Sequence, residues 1–290
     1  MADGLADLPI AQEMLSAAAA CGLDLAAALT GDDEQLRPTD IAQPALLFVE
    51  CALRSTLPAG IDVVAVAGHS VGEYAAAVAA HAITPGDAMR VVIERGRAMA
   101  AMREGTMSAL LSLDLETAKA ICAEAQRDTG EIVIVANHNA PGQLVISGSH
   151  RGVEAAAQLA MARGARRVIP LNVSGAFHSP LMADAASLFS VALDSVALSD
   201  PQPPVVCNVD ARAVHTAGAL RERLREQLTA PVRWIECVER LVELGAETLI
   251  EVGPGSVLSG LARRIAPGVR ALAVNTRDAA ASLDLAMVAG

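Results

Sequence analysis

Aromatic side chains are nearly absent from this chain: three Phe, one Tyr and one Trp in 290 residues. Since 53% of residues are nonetheless hydrophobic, the core has to be built from Ala, Val and Leu, which suits helices packed closely on a sheet. Positive charge is also scarce. Lys and Arg number 22 against 33 Asp and Glu, a net charge of −11, so the basic footprint of a nucleic-acid binder is missing. An acidic partner would have to find a local basic patch rather than a favourable overall field. Cys21, Cys51, Cys122, Cys207 and Cys237 are odd in number and widely spaced, and no pair has metal-ligand spacing. They predict reduced, mostly buried thiols and no metal site. No apolar run approaches membrane-spanning length, and Met1-Ala2-Asp3-Gly4 carries an acid where a signal peptide carries bases. There is no Walker or dinucleotide fingerprint, no repeat and no low-complexity tract. The expectation is a soluble cytoplasmic protein, a monomer without nucleic-acid or membrane partners, folded as one large domain or one domain with an insert.

What is present centres on Gly68-His69-Ser70-Val71-Gly72-Glu73-Tyr74. Val63 to Ala67 before it reads as a buried parallel strand, and the alanine-rich stretch after it reads as a helix. A strand, Gly-x-Ser-x-Gly and a helix form the nucleophile-elbow context, in which two glycines permit a sharp turn that exposes the Ser70 hydroxyl. The Val71 N–H at the helix start then points to where an oxyanion would form. The plain alternative is a glycine-rich turn with an idle serine.

Helices are predicted over residues 8–20 and 40–57, with Pro44 tolerable in the first turn of the second, and a strand over 62–67. Thr84-Pro85 starts a long helix to about residue 103. Residues 107–174 then change rhythm, reading strand, helix, two strands around Asn139-Ala140-Pro141-Gly142, helix, strand. That βαββαβ order is the ferredoxin-like arrangement, inserted in a larger α/β domain. The remainder alternates helices (216–228, 231–244, 256–265) with strands (248–252, 269–274), which implies a parallel, doubly wound sheet. The predicted organisation is therefore an α/β-hydrolase-like catalytic subdomain over residues 1–105 and 175–290, with helices on both faces, and a small ferredoxin-like subdomain over 106–174.

Two further residues stand out. Arg95 lies near the rim of the apolar stripe of its helix, where a guanidinium either snorkels to water, the commoner outcome, or meets a carboxylate. His178 immediately precedes Ser179-Pro180, a good cap and first-turn pair. The positive helix end would keep its imidazole neutral and available as a base, although a histidine at such a place is more often a cap or a loop residue.

With Ser70 and His178 placed, the chain resembles the malonyl-CoA:acyl-carrier-protein transacylases and related polyketide acyltransferase domains. The resemblance rests on Gln43-Pro44-Ala45, the Gly68–Tyr74 elbow, Glu94-Arg95-Gly96, Asn139-Ala140-Pro141-Gly142-Gln143, Gly175-Ala176-Phe177-His178-Ser179 and Glu251-Val252-Gly253-Pro254-Gly255. It implies malonyl transfer from CoA to the phosphopantetheine thiol of acyl carrier protein through a serine ester, in fatty-acid or polyketide synthesis, with no cofactor or metal. Carried over by motif, Ser70 is the nucleophile and His178 its base. The Gln227 main-chain carbonyl orients the imidazole, and Val71 N–H donates to the oxyanion. Arg95 pairs with the free malonyl carboxylate, which reverses the snorkelling expectation. His69 lies beside the acyl group, Asn139 belongs to the substrate site, and Phe177 matches the malonyl-selective form. Arg163, Arg166 and Arg167, or Arg263 and Arg264, are candidate carrier-docking residues.

One departure matters. The family begins with a strand ending in Gly-Gln-Gly-x-Gln, whose second Gln supplies the other oxyanion N–H, and this chain has no such motif. The expectation is that a core strand is missing, that a further segment lies upstream of Met1, and that the chain as written is poorly soluble, nearly inactive, or both. Two alternatives stay open: a serine esterase or thioesterase on the same elbow, and an inactive acyltransferase-like scaffold.

Overall fold

The computed structural model describes residues 4–32 and 34–283. Three helices come first: α1 (Pro9–Ala20), α2 (Leu25–Thr30) and α3 (Thr39–Arg54). Because α3 starts at Thr39, Pro44 falls in its second turn rather than its first. Strand β1 (Val66–Ala67) runs through the elbow into α4 (Gly72–Ala79), and α5 (Pro85–Ala101) follows. The Thr84 hydroxyl accepts the Asp87 N–H and Pro85 occupies the first turn, so α5 begins where its sequence predicts.

The middle of the chain forms β2 (Thr106–Leu111), α6 (Leu115–Thr129), β3 (Val133–Ala140), β4 (Gln143–Gly148), α7 (His150–Ala162) and β5 (Arg167–Pro170). Asp114 and Ser149 cap the two helices through their side chains. The strands make one antiparallel sheet in the order β3-β4-β2-β5. Leu110, Ile121, Val133, Leu144 and Ile146 are buried together between this sheet and its helices. Strand β3 slips register between Val135 and Asn137 and again between His138 and Ala140. Such irregularities re-aim side chains, and Asn139 sits within this stretch.

After a 3-10 turn at Pro180–Met182 come α8 (Ala183–Asp194), β6 (Val205–Val206), β7 (Ala213–Val214), α9 (Ala217–Glu226), α10 (Trp234–Glu243), β8 (Thr248–Val252), α11 (Val257–Ile265), β9 (Arg270–Val274) and α12 (Arg277–Ala281). Among the described residues no helix is long and apolar enough to cross a membrane. The parallel pairing is divided between two separate sheets, β1-β6-β7, in which β7 runs antiparallel, and β8-β9. One continuous doubly wound sheet is therefore not formed by the described residues. The predicted strand 62–67 narrows to Val66–Ala67, which pairs with β6 on one side only. On its other side lies a cleft of about 620 Å³, lined by β1 and β8 and by Glu50 and Arg54 of α3. All five residues of β8 are only half-buried, where a central parallel strand is normally covered on both faces.

Candidate active site

The elbow is steric before it is chemical. A Cβ at Gly68 would lie 2.0 Å from the carbonyl carbon of Gly72, so only glycine fits there. Gly72 has open space around it, so of the two motif glycines Gly68 alone is required by close packing. Ser70 takes φ +52°, a left-handed conformation that a non-glycine residue holds at a cost of about 1–2 kcal/mol unless its surroundings fix it. They do. Ser70 N–H donates to Asn208 Oδ1 at 2.8 Å, the Gln227 side-chain amide donates to the Ser70 carbonyl at 2.9 Å, and Asn208 Nδ2 donates to the Gly68 carbonyl at 2.8 Å.

His178, also at positive φ (+56°), comes from the loop before the 3-10 turn. Its Nδ1 lies 3.0 Å from the Gln227 main-chain carbonyl, which can only accept, so the ring proton belongs on Nδ1. That leaves Nε2 as the acceptor for the Ser70 hydroxyl, 2.7 Å away. Burial, reinforced by the Arg95 charge, pushes the imidazole down to about 3. A helix end is expected to keep the ring neutral, but the element that follows is a three-residue 3-10 turn, and desolvation is the larger cause.

Arg95 does not snorkel. It is 1% exposed, and its guanidinium donates to Gln43 Oε1, to Gln227 Oε1 at 2.8 Å and to Ser70 Oγ at 3.2 Å. It lies 5.8 Å from the centre of the Tyr74 ring and forms no ion pair among the described residues. Burial lowers its affinity for a proton, while Tyr74 and Glu73 raise it. Gly96 makes this placement possible: a Cβ there would stand 2.8 Å from the Asp40 Cα, so α5 comes right up to α3, the helix that carries Gln43.

The opposite wall is made by His69, whose Nε2 is 2.9 Å from Asn139 Oδ1 and whose ring packs edge-on against Trp234. Burial holds this imidazole below its usual range, against the Asn139 hydrogen bond. Phe177 is half-buried against the main core and the β2–β4 face. Val71 stands at the N-cap of α4. The N–H groups of Gly72, Glu73 and Tyr74 are taken by the carbonyls of His69, Ser70 and Val71, whereas Val71 N–H is taken by none of these. Among the described residues no second backbone donor of the Gly-Gln-Gly-x-Gln type is found, and no group of three His, Cys, Asp or Glu side chains could hold a metal.

The structure thus brings Ser70, His178, Gln227, Arg95, Val71, His69 and Asn139 to one place. Two further members escaped the sequence argument. Asn208 is a single polar residue after the apolar run Val205-Val206-Cys207 and gives no local signal. Glu73 lay inside the recognised motif yet was assigned nothing. Both are fully buried. Of the arginines considered for docking, Arg163 pairs with Glu124, Arg263 donates to the Ala271 carbonyl, and Arg264 donates to the Pro141 carbonyl and Gln143. The last of these ties the β3–β4 turn to α11, so Arg264 is engaged inside the molecule.

A half-buried serine on an elbow, paired with a buried histidine that is held by a main-chain carbonyl, defines an acyl-transfer type of site. Comparison with known proteins agrees: the acyl transferase domain matches residues 10–276. The chain is 41% identical over 293 residues to the malonyl CoA-acyl carrier protein transacylase of Escherichia coli K12, covering 98% of this chain and 94% of that protein. The Bacillus subtilis protein of the same name is 43% identical over 249 residues, 84% of this chain and 78% of its own. Among solved structures, an acyl carrier protein S-malonyltransferase from Vibrio cholerae superposes with a TM-score of 0.86 at 38% identity, covering 93% and 92% of the two chains. A malonyl-transacylase in complex with a type II polyketide synthase acyl-carrier protein gives 0.89 at 38% identity, covering 97% and 93%. The chain belongs to the malonyl CoA-acyl carrier protein transacylase family of acyl transferases.

Proposed function

We propose that the protein transfers a malonyl group from CoA to the phosphopantetheine thiol of acyl carrier protein through a malonyl ester on Ser70. The observation that carries this reading is a buried cation without an ionic partner, Arg95, beside a serine–histidine pair. Removing an arginine from water is costly unless its charge is met, and a free carboxylate on the substrate meets it. An ester or thioester without that carboxylate has no use for the arrangement, which favours malonyl over simple acyl groups and transfer over plain esterase activity.

In the first half-reaction His178 Nε2 takes the Ser70 hydroxyl proton as Oγ attacks the thioester carbonyl. The oxyanion is met by Val71 N–H and the positive end of α4. Collapse breaks the C–S bond, and the imidazolium returns its proton to the CoA sulfur. The second half runs in reverse: the carrier thiol gives its proton to Nε2 and attacks the ester, and Ser70 leaves with that proton. The Gln227 carbonyl stabilises the imidazolium at Nδ1–H, standing where a triad acid would stand. Both halves balance without a metal or redox cofactor. His69, Asn139 and Phe177 shape the acyl pocket. When a malonyl carboxylate draws Arg95 toward itself, the guanidinium releases Ser70 Oγ and its depressing effect on His178 is offset. An acetyl group does neither.

The same reading takes residues 1–105 and 175–290 as an α/β-hydrolase-like catalytic subdomain and 106–174 as a ferredoxin-like one, the sheet order β3-β4-β2-β5 being compatible with that. It also takes the protein to be a cytoplasmic monomer. The test is incubation with malonyl-CoA, with and without holo carrier protein, followed by intact-mass measurement of both proteins. Expected are a malonyl adduct on the enzyme and its passage to the carrier faster than its loss to water. CoA release that is equally fast without carrier would make the protein a hydrolase instead.

A further inference from the structure

The acyl-transfer reading leaves a buried carboxyl group unused. Glu73 is fully buried one residue after Gly72, and both its oxygens accept hydrogen bonds: Oε1 from the Asn208 main-chain N–H at 2.5 Å, Oε2 from the Gln227 side-chain amide. Each of these partners reaches a different half of the reacting pair. Asn208 holds the nucleophile, accepting Ser70 N–H and donating to the Gly68 carbonyl. Gln227 holds the base, its main-chain carbonyl accepting His178 Nδ1–H, while its amide also donates to the Ser70 carbonyl. Ser70 and Gln227 are 157 positions apart in sequence, and Ser70 and Asn208 are 138 apart. No local geometry fixes them relative to one another.

We infer that Glu73 and Asn208 are positioning residues: a brace that sets Ser70 Oγ and His178 Nε2 at reacting distance by tying the elbow and the Gln227 turn to one buried carboxyl group. Ser70 and His178 both stand at positive φ, so neither would hold its orientation unaided. Glu73 touches no reacting atom and acts entirely through its two partners. The brace rests on the reading of Ser70 as nucleophile, but not on malonyl as the acyl group.

Two probes keep these apart: a serine-directed fluorophosphonate, which needs only an activated Ser70, and malonyl-CoA. Asn208→Ala should melt cooperatively and lose about 100-fold in fluorophosphonate labelling and in kcat, with KM for malonyl-CoA changed less than about twofold, as expected when orientation rather than binding is lost. Glu73→Gln sets an amide donor against the Gln227 amide. It should lose about tenfold and shift the His178 Nδ1–H proton resonance, which a merely structural loss would leave in place. Folded Asn208→Ala and Glu73→Gln proteins that label at the wild-type rate with an unshifted His178 signal would overturn the brace. If wild type reacts with the fluorophosphonate and never with malonyl-CoA, the substrate assignment fails while the labelling comparison still decides the brace.

Discussion

The two flanks of the elbow strand are held together in opposite ways. Toward α5 and α9, polar side chains from distant segments converge: Arg95, Gln227, Asn208, Glu73, Ser70 and His178 are linked by hydrogen bonds of 2.5 to 3.2 Å, and only Arg95 Nε and the neighbouring Tyr74 hydroxyl are left without a partner in this cluster. Toward β8 there is a cleft in place of a ladder, and buried polar atoms go unanswered. Glu50 Oε2, fully buried on α3, has no hydrogen-bond partner, and neither β1 nor β8 pairs across the gap. A linked network stiffens a site even with a few unmet atoms, whereas an unpaired strand edge and an isolated unmet group subtract directly from stability. The contrast therefore separates what makes the site chemically ready from what limits the folded state, and substitutions on the two flanks should divide the same way.

The largest effect belongs to the first flank. Ser70→Ala should abolish the malonyl adduct while leaving the melting temperature close to wild type, since one oxygen is removed from a residue whose main chain keeps its bonds to Asn208 and Gln227. Intact mass after malonyl-CoA addition reads the first part and a thermal melt the second. An undiminished adduct would move the nucleophile elsewhere. Arg95→Ala comes next. Truncating one member of a buried charge pair costs about 2–5 kcal/mol, or roughly 30- to several-thousand-fold in malonyl transfer. Acetyl transfer has no carboxylate to lose, so the ratio of the two acyl-CoAs should collapse. An equal loss for both would make Arg95 a structural cation tying Gln43 to Gln227.

Much of the first flank was legible in sequence, and little of the second. Gly68 to Gly72 announced itself because strand, turn and helix each have a local signature, and α5 because Thr84-Pro85 caps it. Arg95 defeated the wheel argument: its position relative to an apolar stripe says nothing of Gln43 and Gln227, 52 and 132 residues away, which give it partners inside. Asn208 was invisible for the same reason, a lone amide whose meaning is set entirely by Ser70 and Gly68. In residues 62–67 the β-branched pattern predicted six strand residues and the structure gives two, because a strand is completed by its neighbours rather than by its own propensity. The single parallel sheet failed likewise: alternation of strands and helices fixes the class of architecture but not which edges meet.

The smallest effect, and the one that probes the second flank, is on stability as a function of pH. Burial, with Glu251 nearby, raises Glu50 to about 8, whereas Glu251 spends both its oxygens on the N–H groups of Leu258 and Ser259. A carboxyl raised in the folded state favours folding at low pH. Its contribution is complete below its unfolded value of about 4.5 and is lost as pH rises through 8, at no more than about 1.4 kcal/mol per pH unit. Glu73, at about 8 and also raised by burial, pulls the same way, while His178, depressed to about 3, pulls the other way and only below its unfolded value of 6.5. Between pH 6.5 and 8 the two carboxyls act unopposed, and the wild-type melting temperature should fall. Glu50→Gln keeps the shape of the side chain without its ionisation and should flatten that fall while leaving fluorophosphonate labelling of Ser70 unchanged. Thermal melts across this window decide the matter. A slope as steep in Glu50→Gln as in wild type would mean that the Glu50 side of the elbow strand does not limit stability, and the contrast between the flanks would reduce to the active-site side alone.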